Sequence, residues 1–150
     1  MQETSWTVRV LAGSNKGPST VYARKGQFQA GDPLHFDPEY EHITALEYLL
    51  GAIGADLVGG LKVLARRRHL QIDNVEAVVS GRLHNPLTYL GVVGEEGRPA
   101  LERVVATVYV ASPEPQDQLR HAWGEALTRS PIVNTLRSSI ALDLELQVTI

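Results

Sequence analysis

The chain has 150 residues, with 14 basic and 17 acidic side chains, five His, one Met and no Cys. That length suits one domain over residues 1–150, and a composition 43% hydrophobic and 21% charged excludes extended disorder. The missing cysteines exclude disulfides, thiolate metal ligands and thiol nucleophiles, and a net charge of −3 argues against nucleic acid, whose binders concentrate positive charge.

Met1 to Ser5 has no basic start followed by an apolar run, so no secretory signal is expected there. Trp6, Val8, Val10 and Ala12 alternate with polar residues and predict a first strand. Asn15-Lys16-Gly17-Pro18 is turn chemistry, Ser19 to Phe28 predicts a second strand, and Gly31-Asp32-Pro33 marks a turn before a short third strand at Leu34–Phe36. Thr44-Ala45-Leu46-Glu47 reads as a capping box, in which hydroxyl and carboxylate each bond an orphan backbone N–H. Leu46, Leu49, Leu50, Ile53, Leu57, Leu61 and Leu64 then recur at helical spacing. Arg66-Arg67-Arg68-His69 closes this helix, where cations oppose the negative end of the dipole. Roughly 25 residues at 1.5 Å each give about 37 Å, long for a domain this small. The most apolar stretch, Tyr48 to Leu61, falls short of the ~20 residues that span a bilayer. A cytoplasmic protein with no membrane partner is expected.

Gln71–Leu83 and Leu101–Ala111 each alternate as strands, and His84–Pro99 between them is a long Gly- and Pro-rich loop. Its Tyr89, Leu90, Val92 and Val93 suit either an apolar pocket or a dimer seam. Leu119, Ala122, Trp123, Ala126 and Leu127 predict a helix, and Ser130-Pro131 opens a shorter one with Ser as N-cap. Leu142, Leu144, Leu146, Val148 and Ile150 predict a last strand with one wet face. The fold class is α+β.

Gly51, Ala55 and Gly59 lie four apart on the long helix, with Ala52 and Gly60 beside them. Helical Gly costs about 1 kcal/mol against Ala, so close approach of another backbone must compensate. That backbone belongs either to this chain or to a second copy. Asp56 sits in the same stretch. It either reaches water in a pocket or needs a charged partner, because unpaired burial is costly, or else points to solvent on an exposed flank. His35, Asp37, Glu39, Glu41 and His42 match no metal-ligand spacing, and no metal or cofactor is expected. There is no Gly-x-Ser-x-Gly, phosphate-binding or His-Glu-x-x-His motif.

Glu47-Tyr48-Leu49-Leu50-Gly51-Ala52-Ile53-Gly54-Ala55-Asp56 resembles the helix of the OsmC/Ohr family, which reads Pro-x-Glu-Leu-Leu-x-Ala-x-Gly-x-Cys there. Ser130-Pro131-Ile132-Val133-Asn134-Thr135-Leu136 is similar to that family's Cys-Pro-Val-x-x-Thr-Leu, and Arg66-Arg67-Arg68 before a strand also matches. The resemblance implies an intertwined homodimer, with long central helices flanked by antiparallel β-sheets. It implies that active relatives reduce organic hydroperoxides with one Cys on the helix and a second at the short helix, assisted by an Arg of the N-terminal strands and a Glu near the helix start. Asp56 and Ser130 stand at the two Cys positions, and Ala45 replaces the entry Pro. Arg24 and Glu47 are the matching Arg and Glu. Glu47 lies nine residues before Asp56, about 180° around a straight helix, and the capping box accounts for it by itself. A carboxylate cannot pass through sulfenic acid and disulfide, and a Ser hydroxyl needs a base beside it. The resemblance therefore implies the family's shape without its thiol peroxidase, with a small apolar ligand in the interface pocket. The alternatives are an enzyme of another class using Asp56 as general acid or base, with Arg24 orienting an anion, and a purely structural homodimer.

Overall fold

The computed structural model describes residues 4–149, so Met1, Gln2, Glu3 and the expected strand position of Ile150 lie outside the described residues. In chain order the elements are β1 (Arg9–Leu11), β2 (Ser19–Ala23), β3 (Gly26–Ala30), α1 (Ala45–Arg67), β4 (Asn74–Leu83), α2 (Pro86–Tyr89), β5 (Leu101–Ala111), α3 (Gln116–Arg129), α4 (Pro131–Leu136) and β6 (Ala141–Thr149). This is an α+β chain, as the hydrophobic periods predict. It forms two compact units that meet within α1, one ending at Leu49 and the other starting at Leu50.

In the first unit, β1, β2 and β3 make an antiparallel meander. The strand expected over Ser19–Phe28 is instead a hairpin. Ala23 pairs with Gly26, and Arg24 turns the chain at a left-handed φ of 52°. No Asn-Gly pair announces that turn. Val10, Val21 and Phe28 are in register on one face. Tyr48 lies on that face, its ring 4.5 Å from Phe28 and its hydroxyl donating to the Gln29 carbonyl at 2.6 Å. The strand expected at Leu34–Phe36 does not form, and the residues that follow it bond locally. The Asp37 N–H donates to His35 Nδ1 at 3.1 Å and the Glu39 N–H to Asp37 Oδ1 at 2.9 Å. The segment wraps around Tyr40, which stacks on His35 at 3.9 Å and accepts the Asp32 N–H at 3.0 Å. Gly31 is required there, since a Cβ would stand 2.5 Å from the Tyr40 hydroxyl oxygen.

In the second unit, β4 pairs with β5 antiparallel and β5 with β6 parallel. The expectation of antiparallel sheets therefore fails here, and this sheet is mixed. A strand placed parallel beside its predecessor needs a long crossover, and α3 and α4 supply it between β5 and β6. Val104, Ala106, Val108 and Val110 of β5 and Leu146 of β6 present the inner face. Ile53, Leu57, Leu61 and Leu64 of α1, with Trp123, Ala126 and Val133, complete the core. Gly54 is a close-approach point, where a Cβ would come 3.1 Å from Val79. By length and composition α1 could cross a membrane, yet its inner stripe forms this core. The long loop carries α2, capped by Asn85, whose side chain accepts the Leu87 N–H at 3.1 Å.

Candidate functional site

Ser130 is the junction of α3 and α4. Pro131 cannot continue α3, so the helix ends, and extended Ser130 starts the next one. Its Oγ accepts the Val133 N–H at 2.9 Å, the N-cap bond expected from Ser-Pro. The same hydroxyl donates to Asp56 Oδ2 at 2.5 Å. Ser130 is buried and Asp56 half-buried. The two positions that the resemblance assigns to the thiols are thus in direct contact, bridged by a carboxylate–hydroxyl hydrogen bond. Asn134 secures the corner, its side-chain amide donating to the Ser130 carbonyl at 2.6 Å and the Thr128 carbonyl at 3.0 Å.

Above this pair runs an open groove of about 500 Å³. Its floor is Gly59, Gly60, Val63 and Ala126, and its charged members are Asp56, Arg67 and Arg129. Gly60 faces Ala126, where a Cβ would sit at 3.4 Å, whereas Gly51 and Gly59 have open space beside them. Next to Ala126 in the chain, Glu125 accepts from Arg68 and pairs with the lining residue Arg129 at 2.6 Å. The Arg68 hydrogen bond, helped by the charges of Arg129 and His121, holds the Glu125 carboxyl below the usual carboxylate range. Arg67 has no ion pair among the described residues. The arrangement offers a polar anchor and cationic rim over a small-residue floor. It offers no activated nucleophile, because the Ser130 oxygen is already committed as a cap and a carboxylate is a weak base for an alcohol.

Of the four expected site residues, the structure brings together Asp56 and Ser130. Arg24 is exposed at the β2–β3 turn of the first unit, not within a strand. Glu47 closes the capping box. Its Oε1 accepts the Thr44 N–H and hydroxyl, both at 2.9 Å, and its own N–H donates to Thr44 Oγ1 at 3.1 Å. The Thr44 backbone and hydroxyl bonds lower the Glu47 carboxyl from its usual value. In the sequence Arg67 reads only as part of the basic helix end and Arg129 is not singled out; neither is expected at the site. Arg67 lies eleven residues after Asp56, which returns it to the same side of a helix, and Arg129 immediately precedes Ser130. Among the described residues no group of three metal-capable side chains occurs.

The family model for OsmC-like proteins matches residues 38–145. The chain belongs to the OsmC-like family. Its fold is similar to the OsmC-like protein of Mycoplasma pneumoniae, with TM-score 0.79 and 15% identity, covering 99% of this chain and all of that one. It is also similar to an organic hydroperoxide resistance protein OsmC of Legionella pneumophila, with TM-score 0.66 and 12% identity over 98% of this chain and 99% of that one. OhrB of Bacillus subtilis gives TM-score 0.60 at 15% identity, over 96% and 98% of the two chains. No curated protein matches the sequence. With no cysteine in 150 residues, the chain lacks the side chain that thiol-based peroxide reduction requires.

Proposed function

We propose that this OsmC-like protein is a homodimeric small-molecule binder without peroxidase activity, with its site at the Asp56–Ser130 groove. The observation that carries the reading is the 2.5 Å bond between these residues, both of which line a groove with Gly59, Gly60 and Ala126. The ligand would be small and largely apolar, with one polar group directed at Asp56, whose Oδ1 has no hydrogen-bond partner among the described residues. Exposed apolar surface supports a dimer. Trp6, Val8 and Val10 are 80%, 58% and 60% exposed, and β1 has no buried residue. Gly51, Ala52 and Ala55 form an exposed stripe on α1 of the kind another backbone covers. On this reading residues 1–150 act as one domain in the cytoplasm, with no cofactor and no nucleic-acid partner.

Native mass spectrometry of protein purified without denaturation tests the reading. A dimer carrying a bound small molecule that Asp56→Leu abolishes is the expected result, and a bare monomer would overturn it. Cumene hydroperoxide supplied with excess dithiol should disappear no faster than without protein.

A second reading, an enzyme using Asp56 as general acid or base, gains support from the groove and the Ser130 partner. On that reading turnover would fall with Asp56→Asn while binding survived.

A further inference from the structure

We propose that a second groove, between the C-terminal half of α1 and the segment leading into β4, is a binding site for a small amphipathic monoanion, independent of the Asp56 groove. Its volume is about 470 Å³, within the ~300–1,000 Å³ range of small-molecule pockets. Val58 and Ala65 of α1 form one apolar wall, and Leu70, Ile72 and Val75 form the other. Lys62 and Arg66, one helical turn apart and both exposed, stand at the edge.

Hydrogen bonds fix the second wall. The chain leaves α1 through His69 in a left-handed conformation, and the Leu70 N–H returns to the Ala65 carbonyl at 2.8 Å. The Gln71 N–H donates to Glu114 Oε2 at 2.7 Å, and the Gln71 carbonyl accepts from the Ser112 hydroxyl at 2.5 Å. The Asp73 N–H donates to the Ala111 carbonyl at 2.9 Å. Leu70, Ile72 and Val75 are thereby held half-buried with their outer surfaces on the groove.

Charge selects the occupant. Neither Lys62 nor Arg66 is ion-paired among the described residues. Asp73, the single acidic side chain in the lining, is engaged by the Gln71 side-chain amide at 2.7 Å. The groove therefore carries one uncompensated positive charge in a chain whose net charge is −3. An apolar body against Val58, Leu70 and Ile72, with a carboxylate or sulfonate between Lys62 and Arg66, satisfies both features.

The test uses 8-anilinonaphthalene-1-sulfonate with the purified full chain, read by fluorescence titration and by amide NMR shifts. Saturable binding that perturbs Val58, Lys62 and Leu70–Val75 is expected. Lys62→Gln with Arg66→Gln should weaken it about tenfold, as should Val58→Trp, which fills the groove. Arg67→Gln, facing the other groove, should leave it within twofold. Circular dichroism confirms that each variant is folded. The proposal is overturned if the double variant binds as wild type, if neutral N-phenyl-1-naphthylamine binds equally well, or if the shifts centre elsewhere.

Discussion

At the residue scale, two side chains answer two positions of the family's pattern with different chemistry. Ser130 gives its proton to Asp56 and its lone pair to the Val133 N–H, so one hydroxyl ties α1 to the start of α4. Ser130→Ala removes both bonds and leaves buried groups unpaired. A loss of about 1–3 kcal/mol is expected in urea denaturation at pH 7, with Asp56→Ala costing less because Ser130 keeps its cap. Glu47 works differently. Its carboxyl is lowered because the ionised form accepts from Thr44, so its contribution to stability is complete above the usual Glu value and fades as pH falls through the lowered one. Urea melts from pH 7 to pH 3 should show Glu47→Gln less stable by about 1 kcal/mol at pH 7 and nearly equal to wild type at the acid end. A constant gap would mean that the carboxylate charge is not the cause.

At the element scale, α1 is specified at both ends by local chemistry. Its start is the Thr44–Glu47 box, legible in four consecutive residues. Its end is a Schellman turn in which His69 occupies the left-handed position at φ 58°, with its N–H on the Arg66 carbonyl at 3.2 Å. The basic run announces a helix end but not this geometry, because Gly is the residue that usually marks it. His69→Gly should raise stability by about 1 kcal/mol in urea denaturation, since Gly adopts that conformation without a Cβ penalty. The strands were legible where alternation is long, as in β5 and β6. They were not where backbone donors found side-chain acceptors first, as at Asp37, just after Leu34–Phe36, and at Gln71, three residues before β4 begins.

At the scale of the whole molecule, the glycines of α1 divide into two kinds. A Cβ at Gly54 or Gly60 would meet Val79 or Ala126 within the chain, while one at Gly51 or Gly59 would meet nothing within 4 Å. In an isolated chain, replacing Gly51 and Gly59 by Leu would improve helix propensity by about 1 kcal/mol per site. In the proposed homodimer the same side chains would keep two helices apart. The double variant Gly51→Leu/Gly59→Leu should therefore shift the particle toward monomer in size-exclusion chromatography with light scattering and lower its melting temperature. A more stable variant of unchanged mass would show that no second copy uses this stripe.

The α+β class, the ends of α1, the N-cap at Ser130 and the absence of thiol chemistry are properties of short stretches of sequence. Each depends on residues within a few positions of one another, or on composition alone. Three features were decided only by tertiary structure: the parallel placement of β6, the 2.5 Å contact between Asp56 and Ser130 across 74 positions, and the groove that adds Arg67 and Arg129 to them. Each depends on which surfaces of distant segments meet. Hydrophobic period says that a face is buried but not against what, and that pairing is settled only when the elements pack.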